Sequence, residues 1–161
     1  MTRNTRLYLL LALSATELLM SFSFLGYLHI EPISITFSYI PVLLAGCLMG
    51  PVESSVLGAL FGLSSLWKAS AFYVLPADQV FSPMFSSQPI QSLLLSVGTR
   101  ILFGLLVGLL YAMARRFRHQ TLWIALISIA GKTLHALLVY SAMALFFPEL
   151  GFGPRDTLSD F

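Results

Sequence analysis

The chain has 161 residues, 57% of them hydrophobic and 10% charged, with a formal net charge of +2 and a mean hydropathy of +0.85. An ordinary soluble domain carries roughly 25% charged residues, so a water-soluble fold of this composition could not cover its own surface. The small net charge gives no footing for nucleic acid, and the single cysteine, Cys47, excludes an intramolecular disulfide and any zinc or thiol chemistry built on clustered cysteines.

Apolar runs of about 20 residues, the length that crosses a bilayer as a helix, recur along the chain with short polar breaks. They predict an all-α membrane protein, a polytopic helical bundle forming one integral membrane domain over residues 1–161. The first span covers residues 7–28 and reads as a retained helix rather than a cleaved signal peptide, because the same pattern repeats to Phe147. Arg3 and Arg6 precede it, while Arg115, Arg116 and Arg118 lie between the fourth and fifth spans. The positive-inside rule puts both basic segments in the cytoplasm, so a multi-pass chain with a cytoplasmic N-terminus in the cell membrane is expected.

After a break at His29-Ile30-Glu31-Pro32, the second span covers residues 33–49 and contains Pro41, whose missing backbone donor predicts a kinked or irregular helix. Gly50-Pro51 makes a tight inner turn, and the third span follows over residues 52–72. A long outer loop, residues 73–89, holds Pro76, Asp78, Gln79, Phe81, Pro83, Phe85 and Gln88 without a helical pattern. The fourth and fifth spans cover residues 90–114 and 121–147, and residues 148–161 are too polar and too short to cross.

Charged side chains inside spans cost about 2.5 to 3.5 kcal/mol or more at the bilayer centre, so each is a functional hypothesis by default. Here the cations Lys68, Arg100 and Lys132 face one anion, Glu17. Glu17 shares a helix face with Ser14 and Ser21; Arg100 lies on the row Ser92, Ser96, Arg100, Gly104, Gly108, Ala112, where small residues let a neighbour approach; Ser128, Lys132 and His135 share one side of the fifth span. Two accounts of these charges stand side by side. Glu17 pairs with Arg100 or Lys132, Lys68 snorkels to the interface and His135 is a packing residue. Alternatively, a bound anion completes the positive cluster, with the planar fork of Arg100 suited to a carboxylate. The aromatic side chains Trp67, Tyr73, Phe81 and Phe85 likewise read either as interfacial anchors or as a lid over an organic ligand.

The segment Ile35-Thr36-Phe37-Ser38-Tyr39-Ile40-Pro41-Val42-Leu43-Leu44-Ala45-Gly46, followed by Gly50-Pro51 and the stretch from Gly58 to Ser65, resembles the S components of energy-coupling factor (ECF) transporters. So do Phe81-Ser82-Pro83, Thr99-Arg100-Ile101-Leu102-Phe103-Gly104 and Gly131-Lys132-Thr133-Leu134-His135. The resemblance implies a substrate-binding membrane subunit, not an enzyme, that captures a vitamin from outside. A transmembrane coupling subunit and, through it, two cytoplasmic ATPases would drive release inside, and no Gly-x-x-x-x-Gly-Lys-[Ser/Thr] phosphate loop occurs in this chain. The small-x-x-x-small positions that dock the coupling subunit match Ala12 and Thr16, with Ala15 adjacent. Members nearest in feel take pantothenate or folate, which implies a small anionic vitamin such as pantothenate held by Arg100, Lys68, Phe81, Phe85, Trp67, Gln91, Lys132 and His135. No cofactor and no metal is implied. The family fold has six helices, whereas five apolar runs are visible here before a tail with Pro154, Arg155 and Asp156. A membrane scaffold of cell-envelope assembly is the rival reading; a membrane-embedded enzyme is a weaker one, because the acids Glu17, Glu31, Glu53, Asp78 and Glu149 are scattered.

Overall fold

The computed structural model describes residues 2–23, 27–30, 33–71, 80–86 and 88–147. The first helix, α1, spans Arg3–Phe22, opened by the Thr2 side chain, which accepts from the Thr5 amide. It ends at Ser23 in extended backbone, short of the expected residue 28. Two short strands follow, β1 (Tyr27–Ile30) and β2 (Ile33–Thr36), antiparallel with Tyr27 opposite Thr36 and Ile30 opposite Ile33. The end of the first expected span and the start of the second are therefore a hairpin. The physical reason is local: Ile33-Ser34-Ile35-Thr36 alternates β-branched residues at the period of a strand, and the Glu31-Pro32 break precedes it.

Helix α2 is only Tyr39–Leu48, 10 residues. At 1.5 Å per residue that is about 15 Å, half the thickness of a hydrocarbon core. Pro41 falls in its first turn, where backbone N–H groups have no helical partner anyway, so the expected kink does not form. Gly50, at φ 129°, then turns the chain through backbone that side chains disfavour, and Pro51 occupies the first position of α3 (Pro51–Ala71).

The fourth helix, α4 (Pro89–Ala114), is interrupted by one π-helical turn at Leu94–Gly98, and α5 is Gln120–Phe146. Among the described residues α1, α4 and α5 are the helices long and apolar enough to cross a membrane. The α3 helix has 21 residues but carries Ser54, Ser55, Ser64 and Ser65, in keeping with its place inside the bundle. It packs on α4 with the backbones almost touching. A Cβ added at Gly58 would strike the Arg100 carbonyl, one at Gly62 would lie 2.7 Å from the Val97 Cα, and Gly104 and Gly108 of α4 meet Ser54 and Pro51 in the same way.

Leu13, Val42, Leu43, Leu57, Phe61, Phe103, Val107 and Tyr111 form the main core, and Ala69, Val80, Phe81, Leu95, Met143 and Phe147 a second cluster. Large apolar side chains such as Leu19, Ile129 and Leu145 cover the outside, which suits lipid rather than water. At one end of the bundle Arg6 donates to the Met49 carbonyl (3.3 Å) and pairs with Glu53, and Arg115 donates to the Cys47 carbonyl. Two arginines from separate helices thus meet the negative end of α2, which brings both basic segments to the same end.

Candidate functional site

The site grows from the π-turn of α4. There the Thr99 amide reaches back five residues to the Leu94 carbonyl, and side chains take up the displaced acceptors. The Thr99 hydroxyl donates to the Leu95 carbonyl (2.5 Å), and Arg100 Nη1 donates to the carbonyls of Leu95 (3.2 Å) and Ser96 (2.9 Å). Arg100 Nη2 donates to Ser65 Oγ on α3 at 3.1 Å. Arg100 is only 4% exposed, and its guanidinium lies 4.9 Å from the ring centroid of Phe61 and 5.1 Å from that of Phe81. Both rings present their faces to a cation, an attraction that strengthens when water is excluded.

The serines one and two turns before Arg100 fasten the segment 80–86 to the helix. Ser92 Oγ donates to the Val80 carbonyl (2.6 Å) and Ser96 Oγ to the Phe81 carbonyl (2.7 Å), while the Ser70 and Ser82 hydroxyls share a bond of 2.9 Å. The row Ser92, Ser96, Arg100 therefore acts as one device. Two members hold the backbone of residues 80–81, and the third sits against the ring that this backbone delivers.

His135 of α5 is buried among Tyr39, Phe61 and Phe103, with centroid separations of 6.2, 5.5 and 5.2 Å. Its Nε2 has no hydrogen-bond partner among the described residues. Glu17 of α1 is fully buried; its Oε1 accepts from Ser21 Oγ at 2.9 Å and its Oε2 has no such partner. Glu17 and His135 both lie within electrostatic reach of Arg100. Arg6 pairs with Glu53 at contact distance, whereas Glu17 meets Arg100 through space and not as a closed pair. Nor does Lys132 pair with Glu17, since it is exposed on the outside of α5.

Of the residues expected at a site, Arg100 lies against the rings of both Phe81 and Phe61, and His135 stacks on Phe61. Lys68 is half-buried and donates to the Ser21 carbonyl (3.4 Å) near the C-terminal end of α1, one helical turn beyond Glu17, to which the Ser21 hydroxyl donates. Gln91 is half-buried, with an Oε1 that has no hydrogen-bond partner among the described residues. Phe85 and Trp67, 63% and 60% exposed, point away from the cluster, and Lys132 does not join it. Tyr73, Asp78 and Gln79 lie outside the described residues, as does the tail after Phe147. The sequence reading missed Phe61, Phe103, Tyr39 and Ser65. Ser65 carried a signal, standing four and three residues on along the row Gly58, Gly62, Ser65 that faces α4; a phenylalanine in an apolar span carries none. Among the described residues no group of three His, Cys, Asp or Glu side chains could hold a metal.

The site is thus a buried arginine and an imidazole set against aromatic rings inside a helical membrane bundle, with a buried acid in electrostatic reach, an arrangement suited to binding a small ligand. Residues 5–153 match the family described as ECF transporter, substrate-specific component, and the chain belongs to that family. It is thus the substrate-binding subunit of a transporter rather than an enzyme, and members of the family work with an ECF coupling module. Among curated proteins none matches the chain.

Proposed function

We propose that this S component captures a small anionic vitamin, pantothenate being the first choice, from the outer side of the cell membrane and delivers it through an ATP-driven coupling module. The observation that carries this reading is the nest around Arg100. Its guanidinium supplies positive charge between two aromatic rings, and the buried Glu17 Oε2 and His135 Nε2 lack hydrogen-bond partners among the described residues. Buried polar atoms are seldom left without one, so orphaned groups from two helices beside a cation suit a ligand that brings both charge and hydroxyl or amide groups. Lys68 and Gln91 stand as further polar contacts.

Arg6 and Arg115 at one end support a multi-pass topology with that end in the cytoplasm, so that the segment 80–86 faces outward. Ala12, Ala15 and Thr16 are exposed on α1, and the Thr16 hydroxyl is satisfied by the Ala12 carbonyl at 2.9 Å. A close helix partner, the transmembrane coupling subunit, can approach there without stranding a polar group. The test is uptake of radiolabelled pantothenate by vesicles holding this chain with an ECF coupling subunit and its two ATPases. Uptake that needs ATP and this chain is expected; vesicles that accumulate none, while the purified chain is folded and incorporated, would refute the reading.

A further inference from the structure

The short helix α2 ends at mid-membrane depth. Its C-terminal end lies with the basic segments, where Arg6 donates to the Met49 carbonyl and Arg115 to the Cys47 carbonyl. From there its 10 residues reach about 15 Å, half of a hydrocarbon core, to Tyr39, the first residue of the helix. Helices α1, α3, α4 and α5 all pack against α2. A helix N-terminus carries about half an elementary positive charge, and the N–H groups of its first turn point outward along the axis. Here the Ile40 amide donates to the Phe37 carbonyl (3.0 Å) and Pro41 has no N–H, so Tyr39 supplies the amide that remains, and no described residue accepts from it.

His135 faces this end. It is only 8% exposed, its ring stacks on that of Tyr39, and its Nε2 has no hydrogen-bond partner among the described residues. The fully buried rings of Phe61 and Phe103 lie against it as well. These groups are buried by the described helices themselves, whatever lies against the outer faces of the bundle. A half-membrane helix that aims its positive end at a buried site, beside an orphaned imidazole nitrogen, calls for a partner with partial negative charge.

We propose that the N-terminal end of α2 and His135 form a second subsite, which binds an uncharged hydrogen-bond acceptor, an amide carbonyl oxygen, of the same ligand whose carboxylate Arg100 holds. The Tyr39 amide and His135 Nε2 donate to that oxygen. The acceptor is neutral because the helix end offers only a partial charge, whereas the full positive charge of the cluster stands on the Arg100 guanidinium, against the same Phe61 ring that His135 stacks on. The inference rests on the reading of the site as one for a small anionic vitamin, and it adds the requirement that the vitamin carry an amide apart from its carboxylate.

The test measures equilibrium binding of pantothenate and of its thioamide analogue, in which sulfur, a weaker acceptor, replaces the amide oxygen, to the purified full chain. Wild type should bind the amide roughly three- to ten-fold more tightly than the thioamide. His135→Phe should abolish that preference, and His135→Gln, which keeps a side-chain N–H, should restore part of it. Replacing the Tyr39 amide by an ester, through incorporation of the α-hydroxy acid of tyrosine, removes an N–H that has no helical partner, so the fold should survive while the preference falls. Arg100→Lys should weaken both ligands and leave their ratio unchanged. Equal binding of amide and thioamide by wild type, a preference that survives either His135→Phe or the ester, or a ratio that collapses with Arg100→Lys would overturn the subsite and leave the anionic-vitamin reading standing. Absence of pantothenate binding by folded wild type would overturn that reading, and the subsite with it.

Discussion

The guanidinium of Arg100 and the imidazole of His135 share one ring: Phe61 lies 4.9 Å from the first and 5.5 Å from the second, measured to its centroid. Helices α3, α4 and α5 are joined at that ring, and Ser65 on α3 adds a hydrogen bond to the same guanidinium. Ser65→Ala should lower stability by about 1 kcal/mol, and Arg100→Lys by more, because a lysine cannot reach two carbonyls and a hydroxyl at once. Thermal melts in detergent check the order. A melt of Arg100→Lys equal to wild type would show that the fork is not structural.

The separation of Glu17 from Arg100 sets a second expectation. A contacting buried pair, broken by removing one partner, costs about 3 to 5 kcal/mol, and removing both restores much of it. Here a cycle of Glu17→Gln, Arg100→Gln and the double variant should give a coupling below about 1 kcal/mol, well short of such a rescue. Full recovery of stability in the double variant would mean that the two groups close on each other in the membrane.

Helix contact through glycine can be tested with a control inside the same helix. Gly58→Ala and Gly104→Ala drive a methyl into the backbone of Arg100 and of Ser54, whereas at Gly98 the nearest atom to an added methyl is the Leu94 Cδ2 at 3.8 Å. The first two should destabilise by about 1 to 3 kcal/mol, and Gly98→Ala should be neutral or slightly stabilising. Purification yield and thermal melts separate these outcomes.

Much of this fold was legible. Apolar runs of span length announced α1, α4 and α5, and the row Ser92, Ser96, Arg100, Gly104, Gly108 announced the face that α4 turns to α3. The hairpin was not legible as such, because Tyr27–Thr36 is apolar enough to pass as the ends of two spans; only the alternation in Ile33-Ser34-Ile35-Thr36 distinguished it. At the site, charge in an apolar run singled out Glu17 and Arg100, which are buried, and Lys132, which stands on the exposed side of α5, since hydropathy does not say which side of a helix is covered. Phe61 escaped because its role depends on what stacks upon it, which is set by the packing of three helices.

The segment carrying Phe81 is held by hydroxyls, which gives it a measurable weakness. Ser96→Ala removes the bond to the Phe81 carbonyl and should cost about 1 kcal/mol locally. Hydrogen exchange at residues 80–86 should quicken several-fold while the α3–α4 contact stays protected. Unchanged exchange in that segment would show that the Phe81 ring, not the carbonyl, anchors it.

Docking on α1 predicts a split between binding and transport. Ala12→Trp places a large ring on an exposed face, away from Glu17 and Ser21, which are buried. Uptake in vesicles with the coupling module should fall to background while vitamin binding to the isolated subunit stays within about twofold of wild type. Loss of both together would place that stripe against the bundle interior.

The most direct test of the anion site compares pantothenate with pantothenol, the alcohol that replaces its carboxylate, in equilibrium binding to the purified chain and to Arg100→Lys. A charge-assisted hydrogen bond to a buried carboxylate contributes about 1.5 to 3 kcal/mol, so the variant should bind the acid roughly ten- to a hundred-fold more weakly. Its affinity for the alcohol should hardly change. Equal losses for the two ligands, or no pantothenate binding by folded wild-type protein, would contradict the assignment of Arg100 to an anionic vitamin.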